Sequence, residues 1–350
     1  MTIREITQLR PRSMGELLDQ AIRLYRENFI TYLGIIGMVQ VPISLLSLLL
    51  SFLTIESTAS QFTGEYTDVN PAPILAASVG AFVVSIASFI LVSGLGTAAL
   101  TRAIADNYLG EETGILLAYK KIKNAWGPLI GTLFFVSLVT MGILIWTIVP
   151  VVGWLTGPGI LIFQVMVVTS LIAPCVVLEE RKTGEAFSRA WSLGLKRFWW
   201  LIGYLTILSA LSYLIVYAPT SLVSYFMQSR VQDSLMAGDT SVYMLQTIFQ
   251  SLLTLVLSLI YIPLQFTGVI LVYFDLRVRF EGFDLSVLAH QAETEEVQVE
   301  NLTSFPLGTE QKENFLTGKN IGRFIGLTMA GVLAFIILMS IGMVSALPFL

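Results

Sequence analysis

The sequence predicts an all-α fold: a polytopic transmembrane helix bundle of six core spans in three hairpins, plus a C-terminal seventh span. Three observations predict it. Of 350 residues, 55% are hydrophobic and only 13% charged, against about 25% charge in a soluble domain, and the mean hydropathy is +0.77. Seven apolar stretches run near residues 29–55, 74–101, 128–150, 158–178, 200–226, 243–274 and 321–349. Each is close to or above the ~20 residues that cross about 30 Å of hydrocarbon. Basic residues then alternate between these stretches, present and absent in turn.

The alternation fixes a topology. The N-terminal arm carries Arg4, Arg10, Arg12, Arg23 and Arg26. The segment after span 2 carries Arg102, Lys120, Lys121 and Lys123, and that after span 4 carries Arg181, Lys182, Arg189, Lys196 and Arg197. The segment from span 6 into span 7 carries Arg277, Arg279, Lys312, Lys319 and Arg323. Of the 20 Lys and Arg residues, only Arg230 lies elsewhere. Cationic loops stay in the cytoplasm, so a multi-pass protein of the cell (inner) membrane is expected. Its N-terminus would be cytoplasmic, and its C-terminus outside if span 7 inserts. The first apolar run is too long for a cleaved signal and reads as a retained anchor. Glycines and prolines within the spans, such as Gly94, Pro42 and Pro263, do not argue against helices in a bilayer.

The chain repeats itself. Residue i aligned with i+169 matches Arg12 with Arg181, Gly15 with Gly184, Glu16 with Glu185, Ala21 with Ala190, Leu24 with Leu193, Phe29 with Phe198 and Gly34 with Gly203. A weaker copy begins at Gly114, before Tyr119, Ile122 and Trp126. The unit is a cytoplasmic interfacial amphipathic helix followed by a two-span hairpin, used three times in parallel (8–101, 102–178, 179–285) within a membrane domain over 1–285. Met14, Leu17, Leu18, Ala21, Ile22 and Tyr25 form one apolar stripe; Phe187, Ala190, Trp191 and Gly194 form another, opposite Ser188, Arg189, Ser192 and Lys196. Such helices suit the headgroup plane, apolar face toward the acyl chains. Residues 286–320 are acid-rich, with few aromatics and no sustained apolar period. They read as a disordered cytoplasmic linker to a C-terminal helix over 321–350, where Gly322 and Gly326 give a close-packing spacing.

Composition narrows the chemistry. Cys175 and His290 are the only residues of their kinds, so a cysteine metal cluster, an intrachain disulfide or paired-imidazole chemistry is not expected. The net charge of −4, with basic and acidic residues interspersed, leaves no nucleic-acid footprint. All 24 acidic residues fall in loops or at span ends, whereas ion-coupled carriers place ionisable groups at membrane depth.

Three stretches carry a resemblance: Leu9-Arg10-Pro11-Arg12-Ser13-Met14-Gly15-Glu16-Leu17-Leu18-Asp19, Ala173-Pro174-Cys175-Val176-Val177-Leu178-Glu179, and Tyr273-Phe274-Asp275-Leu276-Arg277-Val278-Arg279-Phe280-Glu281-Gly282-Phe283-Asp284-Leu285. Over residues 8–290 the chain resembles the prokaryotic glycerophosphoryl diester phosphodiesterase membrane-domain family. The resemblance implies the membrane module alone. The family's catalytic barrel is a separate soluble domain with paired histidines, and nothing here corresponds to it, so no catalytic residue is carried over.

Two candidate sites follow. Gln40, Gln164 and Gln265 lie in spans, and Gln40 and Gln265 stand two residues from Pro42 and Pro263. A proline frees a backbone carbonyl that a nearby amide can satisfy. Interhelical hydrogen bonding, worth about 0.6 kcal/mol on average, is the plain expectation, and a polar site for a lipid headgroup or solute the sharper one. The second candidate is a cytoplasmic collar of Arg12, Glu16, Glu179, Asp275, Arg277, Arg279 and Glu281, read as a juxtamembrane anchor or as a docking and anionic-lipid surface. The expected function is a non-enzymatic membrane scaffold or partner protein. Its associates would be membrane lipids and a membrane-protein partner of undetermined identity, with no nucleic acid, no cofactor and no resident metal. The alternative is a transporter or lipid-handling protein with a Gln-lined site.

Overall fold

The computed structural model describes residues 10–63, 71–285, 287 and 317–346. The sequence-predicted acidic linker lies almost wholly outside the described residues. The elements are α1 (Met14–Glu27), α2 (Phe29–Thr63), α3 (Pro71–Ile90), α4 (Thr97–Tyr108), α5 (Ile115–Lys121), α6 (Trp126–Trp146), α7 (Val152–Phe163), α8 (Thr169–Val177), α9 (Thr183–Lys196), α10 (Phe198–Ser212), α11 (Ala218–Met236), α12 (Ser241–Glu281) and α13 (Gly318–Ala346). Single π-helical turns at Leu91–Gly96, Gln164–Val168 and Tyr213–Tyr217 join α3 to α4, α7 to α8 and α10 to α11. Among the described residues, seven helical stretches are long and apolar enough to cross a membrane. The chain is an all-α, multi-pass membrane protein.

α2 packs on α3, α6 on α7, and α11 on α12. The faces these hairpins leave exposed are apolar, including Ile30, Leu49, Phe82, Phe134 and Leu245, as acyl chains require. The best-packed region lies elsewhere, at the basic end. There α4, α8 and the last third of α12 touch one another, and Ala98–Ala105, Leu171–Leu178 and Val269–Val278 are buried almost without interruption.

Three short helices wrap this inner trio. α5 covers α4, α9 covers α8, and α1 covers α12. Each is followed by a long apolar helix, and α1 and α9, both 14 residues long, start 169 positions apart, as do the helices that follow them at Phe29 and Phe198. Ser13 caps α1 in a reciprocal box: its hydroxyl accepts from the Glu16 N–H while Glu16 accepts from the Ser13 N–H. That satisfies two otherwise orphaned donors.

The amphipathic helices correct one expectation. Leu17, Ala21, Leu24 and Tyr25 of α1, and Ala186, Ala190, Trp191 and Leu193 of α9, face protein rather than acyl chains. Helical periodicity records that a stripe is buried, not what buries it. Ile22, read as part of the stripe, is exposed, and Arg189, read as part of the polar face, is buried. Span ends also differ. α4 runs past residue 101 to Tyr108, and α12 past residue 274 to Glu281. Charged residues end a hydropathy window without ending a helix. α12 stops at Gly282, whose left-handed φ of 62° suits a residue without Cβ.

α13 lies against α7. A Cβ on Gly159 would overlap the Phe324 carbonyl, and the Gly159 N–H donates to Thr328 Oγ1 at 2.9 Å. Of the expected Gly322–Gly326 pair, Gly322 meets nothing, and Gly326 faces the Trp199 ring. The close approach depends on a glycine of the partner helix instead.

Candidate functional site

Each helix of the inner trio ends at the basic side in a carboxylate with a buried side chain, and each carboxylate is bound by the segment or helix that wraps it. Asp106, at the end of α4, is fully buried; it lies 2.8 Å from Lys121 Nζ on α5 and accepts from Thr113 Oγ1 at 2.8 Å. Arg102 Nε is 2.9 Å from its other oxygen, an ion-pair distance without hydrogen-bond alignment. Lys121 also reaches Glu111. Burial works against the charge of Lys121, but hydrogen bonds and Coulomb attraction from Asp106 and Glu111 outweigh it and raise its pKa.

Glu179 follows α8. It accepts from Tyr273 Oη at 2.7 Å, Arg189 Nε at 2.9 Å and Arg181 Nε at 2.9 Å. Glu180 beside it has a φ of 53°, a left-handed bend that turns the chain back into α9. Burial alone would raise the Glu179 pKa; the guanidiniums of Arg189 and Arg277 outweigh it, and the carboxyl stays below its usual value. Arg189 continues to Glu281 with Nη2 at 2.6 Å, so one guanidinium joins the exits of α8 and α12.

Asp275, near the end of α12, closes the set. It accepts from the Arg12 N–H at 2.8 Å, Arg279 Nε at 2.7 Å and Arg197 Nη1 at 3.3 Å. Arg279 donates onward to the Arg12 carbonyl. Arg277 is 1% exposed. Its guanidinium lies 4.6 Å from the centre of the Phe283 ring, 3.5 Å from Glu281, and donates to Tyr273 Oη at 3.4 Å.

Of the sequence-predicted collar, Arg12, Glu179, Asp275, Arg277, Arg279 and Glu281 thus come together. Glu16 does not; it caps α1 and pairs with exposed Arg10. The sequence reading missed Asp106, Tyr273 and the bridging role of Arg189. A signal for Asp106 was present, because Asp275 stands 169 positions after it, at the repeat offset.

The glutamines do not form one site. Gln40 Nε2 donates to Ser258 Oγ at 2.7 Å, joining α2 to α12. Gln265 is half-buried on α12 and makes no hydrogen bond among the described residues. Gln164 opens the second π-turn, fully buried, with neither amide atom hydrogen-bonded. The expected amide contacts to carbonyls freed by Pro42 and Pro263 are not what these side chains make. Pockets among the described residues include about 430 Å³ of apolar space between α6, α7 and α13, about 620 Å³ between α11 and α12, and about 530 Å³ on the outer face of α1. None of the three is lined by Gln40, Gln164 or Gln265. Among the described residues, no three or more His, Cys, Asp or Glu side chains are grouped to hold a metal ion.

Compared with protein-family models, curated proteins and solved structures, the chain matches none.

Chemically, the arrangement is a lock. Its carboxylates are occupied by internal cations and donors, and charge-assisted bonds of this kind are directional and strong. Removing one partner of such a buried pair is strongly destabilising, because it leaves an uncompensated charge.

Proposed function

We propose that the chain is a non-enzymatic membrane scaffold or partner protein. On this reading its basic end faces the cytoplasm and holds a rigid collar against which other membrane components assemble. One observation carries it: Asp106, Glu179 and Asp275 are each consumed by structural contacts at an inward-span exit, leaving the titratable groups of the collar committed to holding helices together. The alternating cationic segments support the orientation. Kinship with the phosphodiesterase membrane-domain family belongs to the same proposal and rests on the three motif stretches.

Crosslinking in native membranes, from cysteines placed at Lys120 and Lys182, followed by purification in mild detergent, tests it. A reproducible protein adduct at these collar positions supports the scaffold. An uncrosslinked protein that instead translocates a solute into vesicles overturns it. The second reading, a transporter or lipid-handling protein, is favoured by the unpaired, fully buried amide of Gln164.

A further inference from the structure

The outer face of α1 carries Asp19, Ile22, Arg23, Arg26 and Glu27, the residues that line the pocket of about 530 Å³. Their spacing places them on one side of the helix, opposite Leu17, Ala21 and Leu24. The register would allow Asp19–Arg23 and Arg23–Glu27 pairs, yet among the described residues none of these four charges makes an ion pair or hydrogen bond. This contrasts with Asp106, Glu179 and Asp275, whose charges are all met from within.

The face adjoins the start of the first apolar span. α1 ends one residue before α2, whose first residues, Phe29 and Ile30, are exposed, Ile30 by 80%. Leu116 of α5 is 75% exposed, while its neighbours Ile115 and Tyr119 meet Gly34 and the Ile35 carbonyl. Exposed Phe29, Ile30 and Leu116 beside a helix long and apolar enough to span suit acyl chains, and Arg26 sits in the turn just before that span, where interfacial cations are expected.

We propose that this face binds the headgroup of a phospholipid bearing a primary ammonium, such as phosphatidylethanolamine. Arg23 and Arg26 take the phosphodiester, a geometry suited to guanidinium. Asp19 and Glu27 take the ammonium, and Ile22 meets the glycerol and upper acyl region. A choline headgroup offers no N–H to the carboxylates, and a glycerol headgroup offers them no cation. This holds whether or not the collar recruits a protein.

Native mass spectrometry of the detergent-solubilised chain tests it, with equimolar phosphatidylethanolamine, phosphatidylcholine and phosphatidylglycerol added. The wild type is expected to retain phosphatidylethanolamine in preference to both others. R23Q/R26Q is expected to lower that retention about tenfold, the scale of one or two charge-assisted bonds. D19N/E27Q is expected to erase the preference over phosphatidylcholine while leaving phosphatidylglycerol binding equal or stronger. Unchanged melting temperatures would show that both variants fold, as exposed side chains without partners allow. Equal binding of all three lipids by the wild type, or an undiminished preference in either variant, overturns the proposal.

Discussion

The Arg12 N–H donates to Asp275 Oδ1 at 2.8 Å across 263 positions of sequence. The other two exit carboxylates bind helices that follow them closely in the chain, Asp106 with Lys121 and Glu179 with Arg189. Only Asp275 has to be met by the beginning of the chain. The repeat therefore closes on itself, the first unit's wrapping helix serving the third unit's inner helix.

Asp275→Ala should open that closure. It leaves Arg279 and Arg197, each about a quarter exposed, without a counter-charge, and it frees the Arg12 N–H. Removing one partner of a buried pair costs about 3–5 kcal/mol; partial exposure of the arginines places this case at the low end, about 3 kcal/mol. Thermal unfolding in detergent measures it, and new proteolysis ahead of α1 should accompany it. An unchanged melting temperature with α1 still protected would refute the closure.

Asp106 and Lys121 should be coupled. Separate Asp106→Ala and Lys121→Ala variants, compared with the double variant, should deviate from additivity by roughly 1–3 kcal/mol. Lys121 is 15% exposed and Asp106 fully buried, so the aspartate variant should be the less stable single. Additive effects would mean that the contact contributes no coupling energy.

Glu179 should give the fold an acid limit. Its folded pKa is lowered because Arg189 and Arg277 outweigh burial. A depressed carboxyl contributes stability that is complete above its unfolded pKa, about 4.3, and is lost as pH falls through the lower folded value. Melting temperature should therefore fall as the solution is acidified below about pH 4.3. Glu179→Gln should start lower and lose less over that same interval. Parallel curves for the two proteins would remove Glu179 as the cause.

Much of this was legible in sequence and some was not, for physical reasons. Span number followed from apolar length, because bilayer thickness sets it. Arg12, Glu179 and Asp275 were recognisable as charges beside apolar runs. The burial of the Glu179 and Asp275 side chains was not, since a charge is ordinarily solvated and nothing local shows that α1 and α9 will cover it. Asp106 was hidden because hydropathy ended span 2 five residues before it. The Gly159 contact was hidden because close approach depends on what lies opposite, and glycines are frequent in membrane helices whether or not they are packed. Glu16 looked like a collar residue by proximity, but its capping geometry committed it to Ser13.

Gly159→Leu should release α13. The added side chain would meet Phe324 backbone, which cannot move aside as a flexible side chain can. Overpacking typically costs about 1–3 kcal/mol, and here the loss would fall on the α7–α13 contact rather than on the inner trio. Trypsin should then cut at Arg323, now held by the Leu195 carbonyl and Asn320, while the α1–α12 region stays resistant. Cleavage at the wild-type rate would show that α13 docks by other contacts.

Gln164→Leu separates the two functional readings. The wild-type amide is fully buried with neither polar atom hydrogen-bonded. An unmet buried polar group costs about 1–3 kcal/mol, so an apolar side chain of similar length should raise the melting temperature if the amide only packs. It begins a π-turn, a local widening that often marks function in helices, and a ligand or bridging water held there would reverse the sign. A stabilised variant, with vesicle transport by neither protein, supports the scaffold. A variant that is equally or less stable, and that loses transport shown by the wild type, makes Gln164 the centre of a transport site and displaces the scaffold reading.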